Sequence, residues 1–403
     1  MSESDGERGR MALWLYVAAT CLVASISGME IVMGLAGLAW IARRREKEPA
    51  PDRRLVGLLI SLAAWSLLSA LFSPEPPRSL DATSSALLWI AAPMGAVLLT
   101  PGKRRLVRSL FLLQAGLLGA WALLEFFFWW DGNLLQRVHG PFSHHMTLAG
   151  VLLQMTLQGL PRPVLEPILK GRAGRWGGRL ALLLGFGGMA ATWSRSAVLG
   201  AGAGAAVLWW AAPATAQGNP RPVRRVMLAG LGLALLAGTV SVPWLAEMRG
   251  GGELSAGAAS VQDRLVLWGA GLRMIADHPL LGIGANRVRR EADRYLDPGY
   301  RRPGPPAHLH SSSLTLAAER GLPAFLLWAS LYLLSFLRLR GGEPRGTPAF
   351  DARWGAAAAV AAFLVMGLFE DNFDDVEVLF VHLVILSTLW TPRRPISAAA
   401  IRS

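Results

Sequence analysis

The chain has 403 residues, of which 53% are hydrophobic and only 17% are charged, and its formal net charge is +13. A soluble protein would carry about a quarter of charged residues, so the composition indicates a membrane protein. The positive charge does not indicate a nucleic-acid partner, because the basic residues stand in short clusters between apolar segments. The single cysteine, Cys21, excludes a disulfide within the chain and a cysteine metal site.

Apolar runs recur along the whole chain and predict an all-α polytopic membrane protein with about twelve transmembrane helices, each needing roughly 20 residues. The predicted spans are residues 11–26, 28–42, 55–73, 83–100, 106–128, 145–160, 179–194, 196–213, 226–244, 322–338, 354–369 and 376–391. One long loop with short helices interrupts the series. The predicted division is therefore helices 1–9 in residues 1–244, the loop in 245–321, and helices 10–12 with a tail in 322–403.

The orientation of the helices follows from the distribution of Lys and Arg. Clusters in alternate connections, together with the N-terminal segment, hold 27 of the 40 basic residues, whereas the other short connections hold only Arg78, Arg137 and Arg195. Basic connections face the cytoplasm, so both termini are predicted to be cytoplasmic and the long loop to lie outside. The basic residues of the long loop do not contradict this orientation, because long loops are largely exempt from the charge rule.

The strongest local pattern ends the long loop, where His308 and His310 precede three serines. Serines are good N-cap residues, so the pattern predicts a short helix, Leu314–Arg320, stopped by Gly321. His310 then precedes a helix N-terminus, whose positive dipole disfavours imidazolium and leaves an imidazole able to accept a proton. A surface histidine pair is the structural alternative, and a zinc site shared with His144–His145 is a weaker one.

Isolated arginines stand on several outer segments. Arg264 and Arg273 lie on a predicted amphipathic helix, Ser194-Arg195 interrupts two apolar helices, and Arg137 precedes a histidine-rich loop. An arginine close to the hydrocarbon usually faces a cavity or a partner charge, although snorkelling at the interface is an equal alternative. Because arginine forks bind phosphate oxygens bidentately, these residues predict a site for an anionic lipid headgroup or a lipid-linked diphosphate.

The last outer connection, Glu370–Asp375, carries four carboxylates. Such an acidic run more often forms a solvated or arginine-pairing surface than a cation site. No Asp-x-Asp pair stands in the first outer loop, where a metal-dependent lipid-phosphate-sugar enzyme would carry one. The sequence therefore predicts neither a metal site nor a cofactor.

Taken together, these segments resemble the O-antigen ligase and O-antigen polymerase family of bacterial membrane glycosyltransferases. His310-Ser311, nine residues and Gly321 look like the ligase signature, although Ser311 stands where asparagine is commoner. The run that contains Arg264, Trp268 and Asp277-His278-Pro279-Leu-Leu-Gly-Ile-Gly is similar to the block that precedes this histidine in the family. Ser194-Arg195 and the element Arg137…Gly140-Pro141-Phe142 also match family-like segments.

The resemblance implies a GT-C-like architecture in the bacterial inner membrane and an active site on the periplasmic face. It implies an inverting, metal-independent transfer of a glycan from undecaprenyl diphosphate to a sugar hydroxyl of lipid A-core. A growing O-antigen chain (for a polymerase) and a protein side chain are alternative acceptors. A lipid-glycan transporter and a structural assembly partner are alternatives of other classes, but a transporter would not need a histidine beside the outer loop.

The resemblance also assigns roles to single residues. His310 would act as general base on the acceptor hydroxyl. Arg195 and Arg264 would neutralise the departing diphosphate in place of a metal ion. Binding of the diphosphate or the acceptor is expected of a further set, namely Arg137, His308, Arg273 and Ser194.

Overall fold

The fold is helical throughout the described part of the chain. The computed structural model describes residues 3–42, 51–129, 137–166, 168–211, 252–297, 300, 306–339, 343–344 and 347–391, and these contain no strand. The α-helices are α1 Glu3–Ala19, α2 Ile26–Ala42, α3 Arg53–Leu71, α4 Pro76–Thr83, α5 Ala91–Leu98, α6 Pro101–Leu124, α7 His145–Gly159, α8 Gly171–Ala191, α9 Arg195–Ala211, α10 Gly252–Asp277, α11 Val288–Tyr295, α12 Ser312–Leu337, α13 Pro348–Met366 and α14 Val376–Trp390. A 3-10 helix, Ser84–Ile90, joins α4 to α5, and a π-helical turn, Glu125–Trp129, follows α6.

Five helical stretches of the described residues are long and apolar enough to cross a membrane. They are Arg53–Leu71, Pro76–Leu98, Pro101–Trp129, Ser312–Leu337 and Pro348–Met366, and the shorter apolar helices Ile26–Ala42 and Val376–Trp390 accompany them. The prediction of an all-helical, polytopic membrane protein is confirmed. Twelve spans, the domain division and the GT-C-like architecture stay predictions, and the predicted span 226–244 lies outside the described residues.

Polar residues begin several helices, as N-capping requires. The carboxylate of Asp52 accepts a hydrogen bond from the N–H of Arg54 at 2.9 Å at the start of α3. The carboxylate of Asp375 accepts one from the N–H of Val378 at 3.1 Å at the start of α14. A proline follows Thr347 at the first position of α13, where its missing N–H costs no helical bond. These caps satisfy N–H groups that have no partner inside the helix.

Helix α7 lies inside the bundle, and every residue from Thr147 to Gly159 is buried. Glycines allow its neighbours to approach closely, since a Cβ at Gly355 of α13 would lie 2.4 Å from the carbonyl oxygen of Gln158. Helices α9 and α13 touch in the same way, because a Cβ at Gly200 would lie 2.8 Å from the carbonyl oxygen of Ala362. The small residues of the Gly/Ala-rich stretch Gly200–Ala206 thus allow α9 and α13 to pack closely.

Two predicted boundaries are wrong. The first predicted span ran to residue 26, but α1 ends at Ala19 and α2 begins at Ile26, after a turn. The hydroxyl of Ser25 accepts the N–H of Gly28 at 3.4 Å and so favours a helix start at that point. The span predicted as 83–100 begins earlier, because α4, a 3-10 helix and α5 together form one helical stretch, Pro76–Leu98, that is long enough to cross a membrane.

Helix α12 contains a kink at Gly321, whose φ is 81° and ψ is 167°. The predicted stop at this residue is thus a bend within a longer helix, and the part before it matches the predicted short helix. Only glycine readily adopts these angles. A side chain is also sterically excluded, because a Cβ would lie 1.8 Å from the carbonyl oxygen of Leu280.

The turn after α10 packs against this kink through its backbone. The N–H of Leu322 donates to the carbonyl of Pro279 at 2.8 Å, and the N–H of Ile283 donates to the carbonyl of Ala318 at 2.9 Å. These bonds satisfy backbone groups that the kink removes from the helical pattern. The two sequence blocks that carried the resemblance are therefore in direct contact.

Buried charged residues hold α11 against the membrane helices. The carboxylate of Glu319 in α12 accepts the N–H of Arg287 at 3.1 Å and caps the start of α11. The buried guanidinium of Arg287 pairs with Glu291 and, at 3.2 Å, with Glu75. The side chain of Arg320 pairs with Asp374 at 3.3 Å. The long loop is thus fastened to the bundle beside the predicted histidine.

Candidate functional site

Three helix starts and one connection meet at one end of the bundle. The hydroxyl of Ser194, before α9, lies 3.4 Å from the sulfur of Met146 in α7. The hydroxyl of Thr147 in α7 donates to Asp375 at 2.6 Å. The connection between α13 and α14, residues 367–375, contacts the start of α12 through hydrogen bonds to the hydroxyl of Ser312. We call this end of the bundle, where the starts of α7, α9 and α12 meet residues 367–375, the site end.

His310 lies at the site end in a strained backbone conformation. Its φ is +52°, which places a non-glycine residue in the left-handed region directly before α12. Such a conformation costs about 1–3 kcal/mol and is common at functional sites. The N–H of His310 donates to Nδ1 of His308 at 3.2 Å, and the two rings meet edge to face with centroids 4.5 Å apart. His308 therefore holds the backbone of His310, a contact that the sequence analysis, which expected His308 to bind substrate, did not predict.

Glu370 lies between His310 and Arg264. One carboxylate oxygen is 2.6 Å from Nη2 of Arg264, and the other is 3.7 Å from Nδ1 of His310. The carboxylate side chain is only 7% exposed, whereas Arg264 and His310 retain 20% and 27% exposure. A buried carboxylate thus joins a basic residue from α10 to the predicted general base.

Ser312 fixes the backbone that carries Glu370. Its buried hydroxyl donates to the carbonyl of Glu370 at 3.1 Å and accepts the N–H groups of Asn372 and Phe373 at 2.9 and 3.3 Å. The N–H of Ser312 also donates to the carbonyl of Gly367 at 2.7 Å. Ser312 therefore couples the start of α12 to the connection, whereas the hydroxyl of Ser311, the N-cap residue, makes no capping bond.

Arg137, Ser194 and Arg195 lie around the start of α9. The guanidinium of Arg137 donates to the carbonyl of Trp193 at 3.3 Å. Trp193 has a φ of +53°, and Ser194 after it is buried and caps α9 by accepting the N–H of Ala197 at 3.2 Å. Arg195, the first residue of α9, is exposed. Ser194 is thus a capping residue, and Arg195 is a cation available at a helix start.

The pKa of His144 is lowered by its surroundings at the site end. Its pKa is lowered by burial, raised in turn by the carboxylates of Glu370 and Asp375, and lowered by Arg137. Nδ1 of His144 accepts the N–H of Met146 at 3.2 Å and caps α7.

Arg273 is not brought to the site end with Arg264. The two residues are nine positions apart on α10, which at 100° per residue places them on opposite faces. Arg273 donates from Nε to the carbonyl of Tyr295 at 2.9 Å and pairs with Asp297 at 2.9 Å. Its contacts therefore hold the end of α11.

The acidic connection Glu370–Asp375 pairs with arginines, which was one of the two surfaces that the sequence predicted for it. Glu370 pairs with Arg264, and Asp374 pairs with Arg320. Among the described residues, no group of three or more His, Cys, Asp or Glu side chains could hold a metal ion. The predicted site set missed Glu370 and Ser312, because neither has a local pattern that distinguishes it from a solvated acid or an N-terminal serine.

The fold and this site define a polytopic helical membrane protein with histidine, arginine and a buried carboxylate at one end of its bundle. A family model described as O-Antigen ligase (Wzy_C) matches residues 180–329. This match supports the resemblance inferred from the sequence, which is confirmed over residues 180–329. Members of this family are membrane glycosyltransferase-like enzymes of the ligase and polymerase type.

The matched residues include Arg195, Arg264 and His310, whereas Arg137 and Glu370 lie outside them. No curated protein matches the chain. The site end is thus assembled from residues inside the family domain and residues contributed by the rest of the chain.

Proposed function

We propose that the protein is an O-antigen ligase-type glycosyltransferase of the bacterial inner membrane. It transfers a glycan from undecaprenyl diphosphate to a sugar hydroxyl of lipid A-core at the periplasmic face, with both termini in the cytoplasm. The observation that carries the proposal is His310 held at a helix start beside Arg264 and Glu370, inside the matched domain. Arg195 and Arg137 lie on neighbouring segments of the same end.

The residues suit a direct displacement at the anomeric carbon. His310 takes the proton of the acceptor hydroxyl as the new oxygen–carbon bond forms. The bond between the anomeric carbon and the phosphate oxygen breaks on the opposite face, so the configuration inverts. The electron pair leaves with the diphosphate, whose charge the guanidinium groups of Arg195 and Arg264 neutralise. In this mechanism the arginines supply the positive charge without a metal ion.

Arg264 can serve two partners in this scheme. One of its N–H groups is engaged by Glu370 at 2.6 Å, but a guanidinium carries five N–H donors. The remaining donors are sufficient for a bidentate contact with a phosphate. Pairing with Glu370 therefore orients the guanidinium rather than removing it from the reaction.

The direct test is reconstitution of the purified protein with a lipid-linked glycan and lipid A-core. We expect transfer in buffer containing EDTA and an inverted anomeric configuration in the product, measured by NMR. Loss of transfer in EDTA would refute the metal-free mechanism, and retention of configuration would refute the single displacement. Absence of any product with active donor and acceptor would favour a transporter or an assembly partner instead.

Polymerase activity is the second candidate, because the matched family covers both ligase-type and polymerase-type enzymes. A deletion strain separates the two. Free lipid-linked long chains indicate a lost ligase, whereas core bearing a single repeat indicates a lost polymerase. If neither change is seen and glycosylated proteins lose their glycan, the acceptor is a protein side chain.

A further inference from the structure

One ring nitrogen of His310 lacks a hydrogen-bond partner. Nδ1 is buried and makes no hydrogen bond within the described part of the chain. The carboxylate oxygen of Glu370, at 3.7 Å, is within ion-pair distance of it but slightly too far for a hydrogen bond. Hydrogen bonds between catalytic groups are often long in a free enzyme and shorten when substrate binds.

Glu370 is buried and held by contacts on both its side chain and its backbone. Its side chain is 7% exposed, and its second oxygen is 2.6 Å from Arg264. Its backbone carbonyl is held by Ser312, two residues after His310. A charge desolvated to this extent is stable only when it is paired. Arg264 supplies one partner, and an N–H at Nδ1 of His310 would supply the other.

We propose that Glu370 is a positioning residue that fixes the tautomer of His310, with the proton on Nδ1 and the lone pair on Nε2. The proposal rests on the proposed function only in taking His310 as the base. A neutral imidazole carries one N–H, and the hydrogen bond made by one nitrogen decides which nitrogen is free. A carboxylate only accepts hydrogen bonds, so it selects the tautomer with the proton on Nδ1.

The same carboxylate assists after proton transfer. When Nε2 takes the acceptor proton, the ring becomes an imidazolium with both nitrogens protonated. The negative charge of Glu370 stabilises that cation through Nδ1, while Arg264 keeps the carboxylate oriented. Glu370 thereby links the base to the arginine that faces the diphosphate, although it lies outside the residues that the family model matches.

Two substitutions of Glu370 separate this role from simple packing. In Glu370→Gln the amide oxygen remains with Arg264, and the NH2 group faces Nδ1 as a donor, which selects the wrong tautomer. We expect kcat to fall about 10³–10⁴-fold with little change in KM, as when the carboxylate of a Ser-His-Asp triad becomes an amide. Glu370→Asp is one methylene shorter but keeps an acceptor, so it should retain more activity than Glu370→Gln. The opposite order, with Gln near wild type and Asp impaired, would overturn the proposal.

The tautomer itself can be measured without turnover. The chain has seven histidines, so ¹⁵N-histidine labelling in detergent gives few signals, and His310→Gln assigns those of His310. The wild type should show N–H coupling at Nδ1 and none at Nε2, and Glu370→Gln should reverse the pattern. Asp374→Asn is the matched control in the same connection and should leave the pattern unchanged.

The tautomer of His310 and glycan transfer are measured independently. A wild-type protein with the proton on Nε2 contradicts the proposal about Glu370, even if glycan transfer occurs and even if the variants do not fold. A wild-type protein with the expected tautomer that transfers no glycan contradicts the proposed function instead.

Discussion

The kink at Gly321 offers a sharp test of how the two family-like sequence blocks fit together. Gly321→Ala adds one methyl group where the built Cβ would lie 1.8 Å from the carbonyl oxygen of Leu280. The backbone must also hold φ 81° and ψ 167°, which side-chain-bearing residues rarely adopt. The turn and the helix would therefore have to separate.

The expected cost follows from these contacts. Backbone strain contributes about 1–3 kcal/mol. Separation of the turn weakens the bonds from Leu322 to Pro279 and from Ile283 to Ala318, at about 1 kcal/mol each. We expect a total loss of about 3–5 kcal/mol, which corresponds to a fall in unfolding temperature of roughly 5 °C or more.

The assay is thermal unfolding of the detergent-purified variants at fixed protein and detergent concentrations. Gly269→Ala is the matched control, because a Cβ there meets only the end of the Arg273 side chain, at 3.8 Å. Alanine in place of this glycine inside α10 should be neutral or stabilise by about 0.5–1 kcal/mol. An unfolding temperature for Gly321→Ala equal to that of the wild type would refute the steric argument.

Three further predictions concern single side chains. Ser312→Ala removes an acceptor of two buried N–H groups and should lower the free energy of unfolding by about 1–3 kcal/mol. The control Ser313→Ala should change it little, and equal unfolding temperatures for the two variants would contradict the role of Ser312. Arg195→Ala should lower the rate of glycan transfer about 10²–10³-fold without changing the unfolding temperature. Arg273→Ala should leave the rate near that of the wild type, and equal losses in the two variants would contradict the placement of Arg195 but not Arg273 at the active site. Burial and neighbouring carboxylates raise the pKa of Asp371 well above its usual range. The folded protein therefore keeps a proton that the unfolded chain loses above about pH 4, so the stability of the wild type falls as pH rises. The unfolding temperature of Asp371→Asn should exceed that of the wild type by more at pH 8 than at pH 5. A difference that does not change with pH would contradict this prediction.

A local pattern was enough to predict that a helix begins shortly after His310. The three serines after the histidine predicted a helix start, and α12 begins at Ser312. Gly321 after this segment predicted a stop, and the structure has a kink at this residue. Such features depend on neighbours within one helical turn, so a sequence is sufficient to find them.

Long-range pairing could not be predicted in the same way. Glu370 and Arg264 are 106 positions apart, and Ser312 and Glu370 are 58 apart. No helical period connects such residues, and an acidic run looks alike whether it is solvated or buried. Fixing these partners requires the packing of α10, α12 and α13 around the connection. The separation of Arg264 from Arg273, by contrast, follows from helical periodicity alone.

The central claim is that His310 is the general base of a metal-independent glycan transfer. It is tested most directly by the single-turnover rate of transfer from a lipid-linked glycan to lipid A-core, in EDTA, for the wild type and His310→Ala. We expect transfer by the wild type and a loss of about 10²–10⁴-fold in the variant, with an unchanged unfolding temperature. Transfer by His310→Ala at the wild-type rate would contradict the account.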